Sequence, residues 1–302
     1  MHSPIDRQTL GAGHYLDTTS ARFHYARLGS GPPLLLLHGW PDFWYTWRHN
    51  IPALSTHYTV IAPDIRGFGE SRSKDRPADA LLTPEQIADD LICLLDALAI
   101  DKAAIVAHDV SANAVQFLAR RNPERVSCLY FFNCPHPGIG SRWADADQLP
   151  HVWYQYFNQL PLASALIGYN RDTCRLYLQH ILGHWSHQPD CFNEDLEHWV
   201  DNFMAPGALE GGFAWYAGID QARRDLIRHG PPAQPPIDHP TRVLWGASDK
   251  ALSPTWVDTL GDTFSQLEVD VLANAGHFVH YEQPDIANAD ILRFLSAHRH
   301  RL

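Results

Sequence analysis

Short apolar runs alternate along this chain with longer stretches whose apolar residues recur at helical spacing. The runs at 22–28, 33–37, 58–62, 104–107, 126–132, 241–245 and 267–272 are β-branched or leucine-rich and read as strands. Between them, 84–99 puts Ile87, Leu91, Leu94, Leu95 and Leu98 on one helical face, with Thr83 as an N-cap ahead of Pro84. A last amphipathic helix is expected over 286–295. Such alternation predicts an α/β fold, a mostly parallel sheet flanked by helices. Reactive groups in sheets of this kind gather beyond the carboxyl ends of the strands. From about 135 to 232 the alternation stops. That stretch is rich in Trp, Tyr, Phe, His and Leu and ends in the proline-rich return Gly230-Pro231-Pro232-Ala233-Gln234-Pro235-Pro236. The expected division is a first core segment 1–134, an inserted helical cap or lid 135–232, and a second core segment 233–302.

Composition narrows the functional classes. With 302 residues and 45% hydrophobic content, the chain can bury a large core and carry an additional subdomain. The net charge is −11 and no long basic run occurs, which argues against nucleic acid as a partner and gives an anionic substrate no long-range attraction. No apolar run has membrane-spanning length, and Met1–Asp6 lacks the pattern of a secretory leader, so a cytoplasmic protein without membrane partners is expected. Five cysteines with no C-x-x-C pair read as free thiols. His184 and His187 form an H-x-x-H without the glutamate a zinc-protease helix needs. Neither a metal nor an organic cofactor is expected, and a homodimer is left open.

The chemistry concentrates at Ala107-His108-Asp109-Val110-Ser111-Ala112, a sharp strand-to-helix turn whose small flanking residues let the backbone double back. In a hydrolase elbow of this kind the tip is usually a serine. A carboxylate there attacks saturated carbon and forms an ester with the enzyme, so epoxides or alkyl halides become the expected substrates. Three further strand ends carry His38-Gly39-Trp40-Pro41, Asp64 to Ser71 and Gly246-Ala247-Ser248-Asp249, and Gly276-His277-Phe278 follows the last strand. The order Asp109, Asp249, His277 repeats nucleophile, acid and histidine of the hydrolase triad. Asp249 also suits a cap ahead of Leu252. Asp64 and Arg66 read as loop-fixing groups, and His136 as structural.

With H-G-x-P, D-x-x-G-x-G-x-S, H-D-x-small-small and G-H-F in order across nearly the whole chain, the sequence resembles the epoxide hydrolase branch of the α/β-hydrolases, which also holds haloalkane and haloacetate dehalogenases. The resemblance implies a nucleophile Asp109, a base His277 supported by Asp249, and an oxyanion hole from the backbone N–H groups of Trp40 and Val110. It makes His38 an organiser of the oxyanion loop and His108 a donor behind the nucleophile. Two cap tyrosines are expected to hold the epoxide oxygen, Tyr154 and Tyr216, with Tyr156 as the register alternative. Trp153, Phe157, Phe213 and Phe278 are candidate pocket walls, and Trp143 and Trp185 are further cap aromatics. Together they suggest an apolar or aryl epoxide as the small-molecule substrate. Dehalogenases of the branch place Trp or Arg after the nucleophile, whereas this chain has Val110 there and Asn113 nearby. The expected activity is epoxide hydrolysis to a vicinal diol, with dehalogenation as the runner-up and a non-catalytic ligand receptor as a minor alternative.

Overall fold

Residues 7–78 and 80–302 are described by the structure, a computed structural model. The leader pattern read over residues 1–6 therefore lies outside the described residues. In chain order the strands are β1 (His14–Asp17), β2 (Ala21–Leu28), β3 (Pro33–Leu37), β4 (Thr59–Pro63), β5 (Arg72–Ser73), β6 (Ala103–His108), β7 (Val126–Phe132), β8 (Ile237–Gly246) and β9 (Phe264–Leu272). They form one sheet in the order β1-β2-β4-β3-β6-β7-β8-β9, with β5 beside β2. Pairing is antiparallel where β2 meets β1, β4 and β5, and parallel from β4 through β3 to β9. The strands β6 and β7 are buried at every position, as a parallel sheet covered on both faces requires.

All seven expected strands form. β8 and β9 start earlier than their apolar stretches suggest, because Ile237 pairs with Phe264 ahead of a register irregularity. β1 and β5 carried no apolar signal: β1 is mostly exposed, and β5 has two residues held by backbone pairing to β2. The helix Pro84–Ala97 opens with a reciprocal capping box between Thr83 and Gln86. The last long helix, Pro284–Ala297, extends the expected one at both ends.

Between β7 and β8 there is no strand. The interval holds the helices Leu149–Val152, Tyr154–Phe157, Pro161–Ile167, Arg171–Trp185, Leu196–Met204 and Ala208–His229. The long helix Ala208–His229 lies directly on the loop after β4: a Cβ on Gly211 would fall 2.1 Å from the Gly67 carbonyl oxygen. On the other side, Arg48 donates to Asp195 and to the Tyr281 hydroxyl, and Trp199 Nε1 donates to Asp42 Oδ1 at 2.9 Å. These contacts fix the inserted helices over the carboxyl edge of the sheet. None of the described helices is long and apolar enough to cross a membrane.

Candidate active site

The turn after β6 places Asp109 at φ 50°, ψ −120°, and the helix Val110–Arg121 starts at the next residue. A side chain in this region costs about 1–3 kcal/mol and persists only where the surroundings over-determine it. Here they do. Asp109 N donates to Phe132 O at 3.4 Å, Ala112 N donates to Asp109 O at 2.8 Å, and Ser111 Oγ donates to the His38 carbonyl. Gly39 completes the cradle, since a Cβ there would lie 2.7 Å from Asp109 Cβ. The carboxylate Oδ2 accepts the Trp40 N–H at 3.2 Å. Val110, buried, opens the helix, so its N–H has no partner within that helix.

Under this carboxylate lies a polar floor. Asp249 Oδ2 accepts from His277 Nδ1 at 2.9 Å and also from Asn133 Nδ2, while its Oδ1 accepts the N–H groups of Ala251 and Leu252. Asp249 thus caps a turn and orients a histidine with different oxygens. Imidazole Nε2 of His277 is buried and has no hydrogen-bond partner among the described residues. Burial alone would push His277 down, but the charge and hydrogen bond of Asp249, with Asp109 and Asp42 nearby, outweigh it and raise the group to about 9. The His277 turn is pinned by Glu282, which accepts from Gly276 and Phe278, and by the His277 N–H bonding to the Trp185 carbonyl at 2.8 Å.

The roof is aromatic. Tyr154 stacks on Trp40 with centroids 5.3 Å apart and planes 7° apart, and Tyr216 meets the edge of both rings at 5.2 and 5.5 Å. Trp185 closes the group, packing on Tyr154 at 4.7 Å and His277 at 5.1 Å. Burial, followed for Tyr154 by the Asp109 charge and for Tyr216 by Tyr154 and Asp109, holds both phenols well above their ordinary range. Both are therefore protonated donors at neutral pH, and both feel the Asp109 carboxylate. Tyr156, the register alternative, is 44% exposed against 4% for Tyr154.

Other expected residues divide. His38 is buried, with Nδ1 bonded to the Gly39 carbonyl at 2.8 Å and Nε2 accepting from Ile65 N at 3.0 Å. That pattern requires the neutral ring, which agrees with the lowering that burial imposes, and makes it a loop organiser. His108 donates Nε2–H to the His277 carbonyl at 2.9 Å. Phe213 and Phe278 are buried, and Phe278 packs edge-on against His277 at 4.9 Å. Trp153 and Phe157 contact each other and Tyr177, outside the ring group of Trp40, Tyr154, Tyr216 and Trp185. Trp153 is 39% exposed, and its ring contacts are Phe157, Tyr177 and His180, because the short helix Tyr154–Phe157 buries Tyr154 and Gln155 and leaves Trp153 and Tyr156 exposed. As expected, Asp64 fixes its loop, accepting from Trp44 N, Glu70 N and His24, and Arg66 pairs with Asp90. His136 is buried, donates Nε2–H to the Trp256 carbonyl at 3.0 Å, and is lowered to about 4 by burial.

Sequence reasoning passed over Asn133, Glu282, Asp42 and His280. Asn133, at φ 45°, stands at the carboxyl end of the fully buried β7, where a polar residue was itself a signal. The others are single polar residues without a motif. Asp42, His108 and His280 are all buried and each brings one ligand atom within 4.8 Å of the other two. Among the described residues this is the one trio of His, Cys, Asp or Glu compact enough to hold a metal ion. All five cysteines are free thiols, as expected.

Residues 32–284 match the family described as the α/β-hydrolase fold. The soluble epoxide hydrolase of Corynebacterium sp. (strain C12) is 31% identical, covering 91% of this chain and 94% of that one. Epoxide hydrolase 4 of Homo sapiens is also 31% identical, over 97% of this chain and 82% of that protein. Among solved structures, the ligand-free epoxide hydrolase CorEH superposes with a TM-score of 0.80 at 29% identity, covering 94% of this chain and 98% of that one. With the elbow, the polar floor and the sheet order already in place, the chain belongs to the α/β-hydrolase family, in the group whose members named here are epoxide hydrolases.

Proposed function

We propose that this protein is an epoxide hydrolase that opens a small apolar or aryl epoxide to a vicinal diol through an ester on Asp109. In this reading an Asp109 oxygen attacks one ring carbon and the carbon–oxygen bond of the epoxide breaks. Tyr154 and Tyr216 donate to the departing oxygen, one phenol supplying the proton, which gives a hydroxyalkyl ester. Water then attacks the Asp109 carboxyl carbon as His277 takes one of its protons, and the Trp40 and Val110 N–H groups hold the oxyanion. Collapse breaks the ester bond, the leaving diol oxygen taking the remaining water proton while the proton on His277 returns to the tyrosinate through solvent. The segment 135–232 acts as the cap that brings the phenols over the nucleophile and excludes water.

The observation that carries this reading is a strained carboxylate bonded to the Trp40 N–H beside two protonated phenols that meet edge to face. The raised His277 also fits it. In the resting enzyme the Asp109 charge adds to that of Asp249 in holding His277 high. Esterification removes the Asp109 charge, one of the contributions that hold His277 high, so the ring is released toward its neutral, basic form when the base is needed.

The test is intact-mass analysis of His277→Gln after exposure to styrene oxide. The expected result is the protein mass plus one intact epoxide, located on the Asp109 peptide, with diol formation by the unaltered enzyme. Diol turnover by His277→Gln at the full rate with no adduct would overturn the scheme. Dehalogenation has one observation in its favour: Trp40 and Trp185 both leave a buried indole N–H without a partner among the described residues, the kind of donor that holds a halide. Chloride release from a chloroalkane exceeding diol release from styrene oxide would select that reading instead.

A further inference from the structure

A cavity of about 510 Å³ lies between the helix that follows the elbow and the long cap helix. Its wall includes Asn113, Phe117, Trp143, Ile219 and Arg223. Two of these stand on the helices that carry the reacting groups. Asn113 stands one helical turn beyond Asp109, and Arg223 is two turns beyond Tyr216, on the same helix face as Ile219.

Arg223 is the unusual member. Its guanidinium carbon sits 4.3 Å from the centroid of the Trp143 ring, and among the described residues no carboxylate pairs with it and no hydrogen bond engages it. Arg224, next in sequence, pairs with Asp220 in the ordinary way. Asp225 also lines the cavity but accepts from Gln221. Tyr154, Tyr216 and Asp109 all act on the Arg223 charge, so the guanidinium shares the electrostatic environment of the chemistry. An arginine keeps its charge in such a place. A partly desolvated cation held over an indole and left without an anion is a site prepared for one.

We propose that Arg223, with the Asn113 amide as a second donor, forms a subsite for a carboxylate on the substrate, so that the preferred epoxides are acids whose charged group lies in this cavity while the ring lies under Tyr154 and Tyr216. The subsite rests on the epoxide hydrolase reading and sharpens it from apolar epoxides to epoxy acids. A net charge of −11 does not oppose this, because distant surface charges are screened beyond roughly 10 Å whereas a guanidinium in a low-dielectric cavity is not. The cavity wall supplies the apolar contacts for the carbon chain between the two ends.

The experiment is a comparison of kcat/KM for ω-epoxyalkanoates of increasing chain length with their methyl esters, in the unaltered enzyme, Arg223→Gln and Arg223→Lys. The expected result is an optimal length at which the acid exceeds its ester by about tenfold or more, the size of a charge-assisted hydrogen bond. Arg223→Gln should collapse that ratio and Arg223→Lys should restore most of it. Esters favoured at every length by the unaltered enzyme, or equal losses for acid and ester in Arg223→Gln, would overturn the subsite. Should no epoxide of either kind be hydrolysed, the epoxide hydrolase reading fails. The subsite is then judged by calorimetry with the corresponding diols, where tighter binding of the acid than of its ester supports it and equal binding overturns it.

Discussion

The floor and the roof of the site are built on different physics. Below Asp109 the groups are polar, and each is held by directional bonds to backbone or side chain: Asp249 by four donors, His277 through Nδ1 and its N–H, Asp109 by Trp40 N. Above it, Trp40, Tyr154, Tyr216 and Trp185 hold one another by ring contact, and neither indole N–H is paired among the described residues. A hydrogen-bonded carboxylate tolerates almost no replacement, whereas a stacked ring can be exchanged for another ring at modest cost. Damage to the floor should therefore stop the reaction, and damage to the roof should grade it.

The largest effect is expected at Asp249→Asn. It removes the acceptor that orients and charges His277, and loss of the analogous acid in a triad costs on the order of 10³–10⁴-fold in kcat. The sign of the pH effect follows from the raised His277. A group held at about 9 against an ordinary value of 6.5 stabilises the folded state fully below pH 6.5 and loses that contribution as pH rises through 9. The melting temperature of the unaltered protein should fall across this window more steeply than that of Asp249→Asn. Equal slopes would show that His277 is not held by Asp249 as described, and the floor would lose its special status.

The floor was also the more legible half in sequence. Asp109, Asp249 and His277 stand at strand ends in an order that the fold makes meaningful, and β3, β6 and β7 appear where the apolar runs lie. Their geometry depends on backbone turns, and turns leave short local signatures. The cap leaves none. A stretch with aromatics on several faces of short helices does not say which ring points inward, so Trp153 was expected in the pocket and stands 39% exposed, while Trp185 joins the ring cluster over His277. Asn133 was missed because it reaches Asp249 on a turn supplied by a remote segment, and Glu282 because a single acid that accepts from the nearby Gly276 and Phe278 N–H groups forms no motif.

Removing the phenols tests the roof next. Tyr154→Phe and Tyr216→Phe keep the rings and their stacking but delete the donors. The double variant should lose about 10²–10³-fold in kcat/KM, the usual scale for donors aimed at a developing oxyanion. Each single variant should lose less, since the remaining phenol still serves the oxygen. The adduct should then form slowly rather than accumulate, which separates this defect from that of His277→Gln. If either single variant equals the double one, the two phenols do not share the task and the roof has one working donor.

The smallest effect is expected at Trp153→Ala, and it measures how deep the roof extends. Trp153 touches Tyr177 edge-on at 6.4 Å, and Tyr177 in turn meets the edge of Trp40 at 6.3 Å. Trp153 is thus two rings removed from the nucleophile, and its indole is partly in water. Truncation should remove roughly 1–2 kcal/mol of stability through lost apolar burial. In kcat/KM the change should stay within about threefold, because Tyr177 also donates to Asn158 Oδ1 at 2.7 Å and keeps its place without Trp153. A tenfold loss of activity with an unchanged melting temperature would mean that Trp153 reaches the substrate, and the roof would have to be redrawn as a deeper wall than the ring contacts describe.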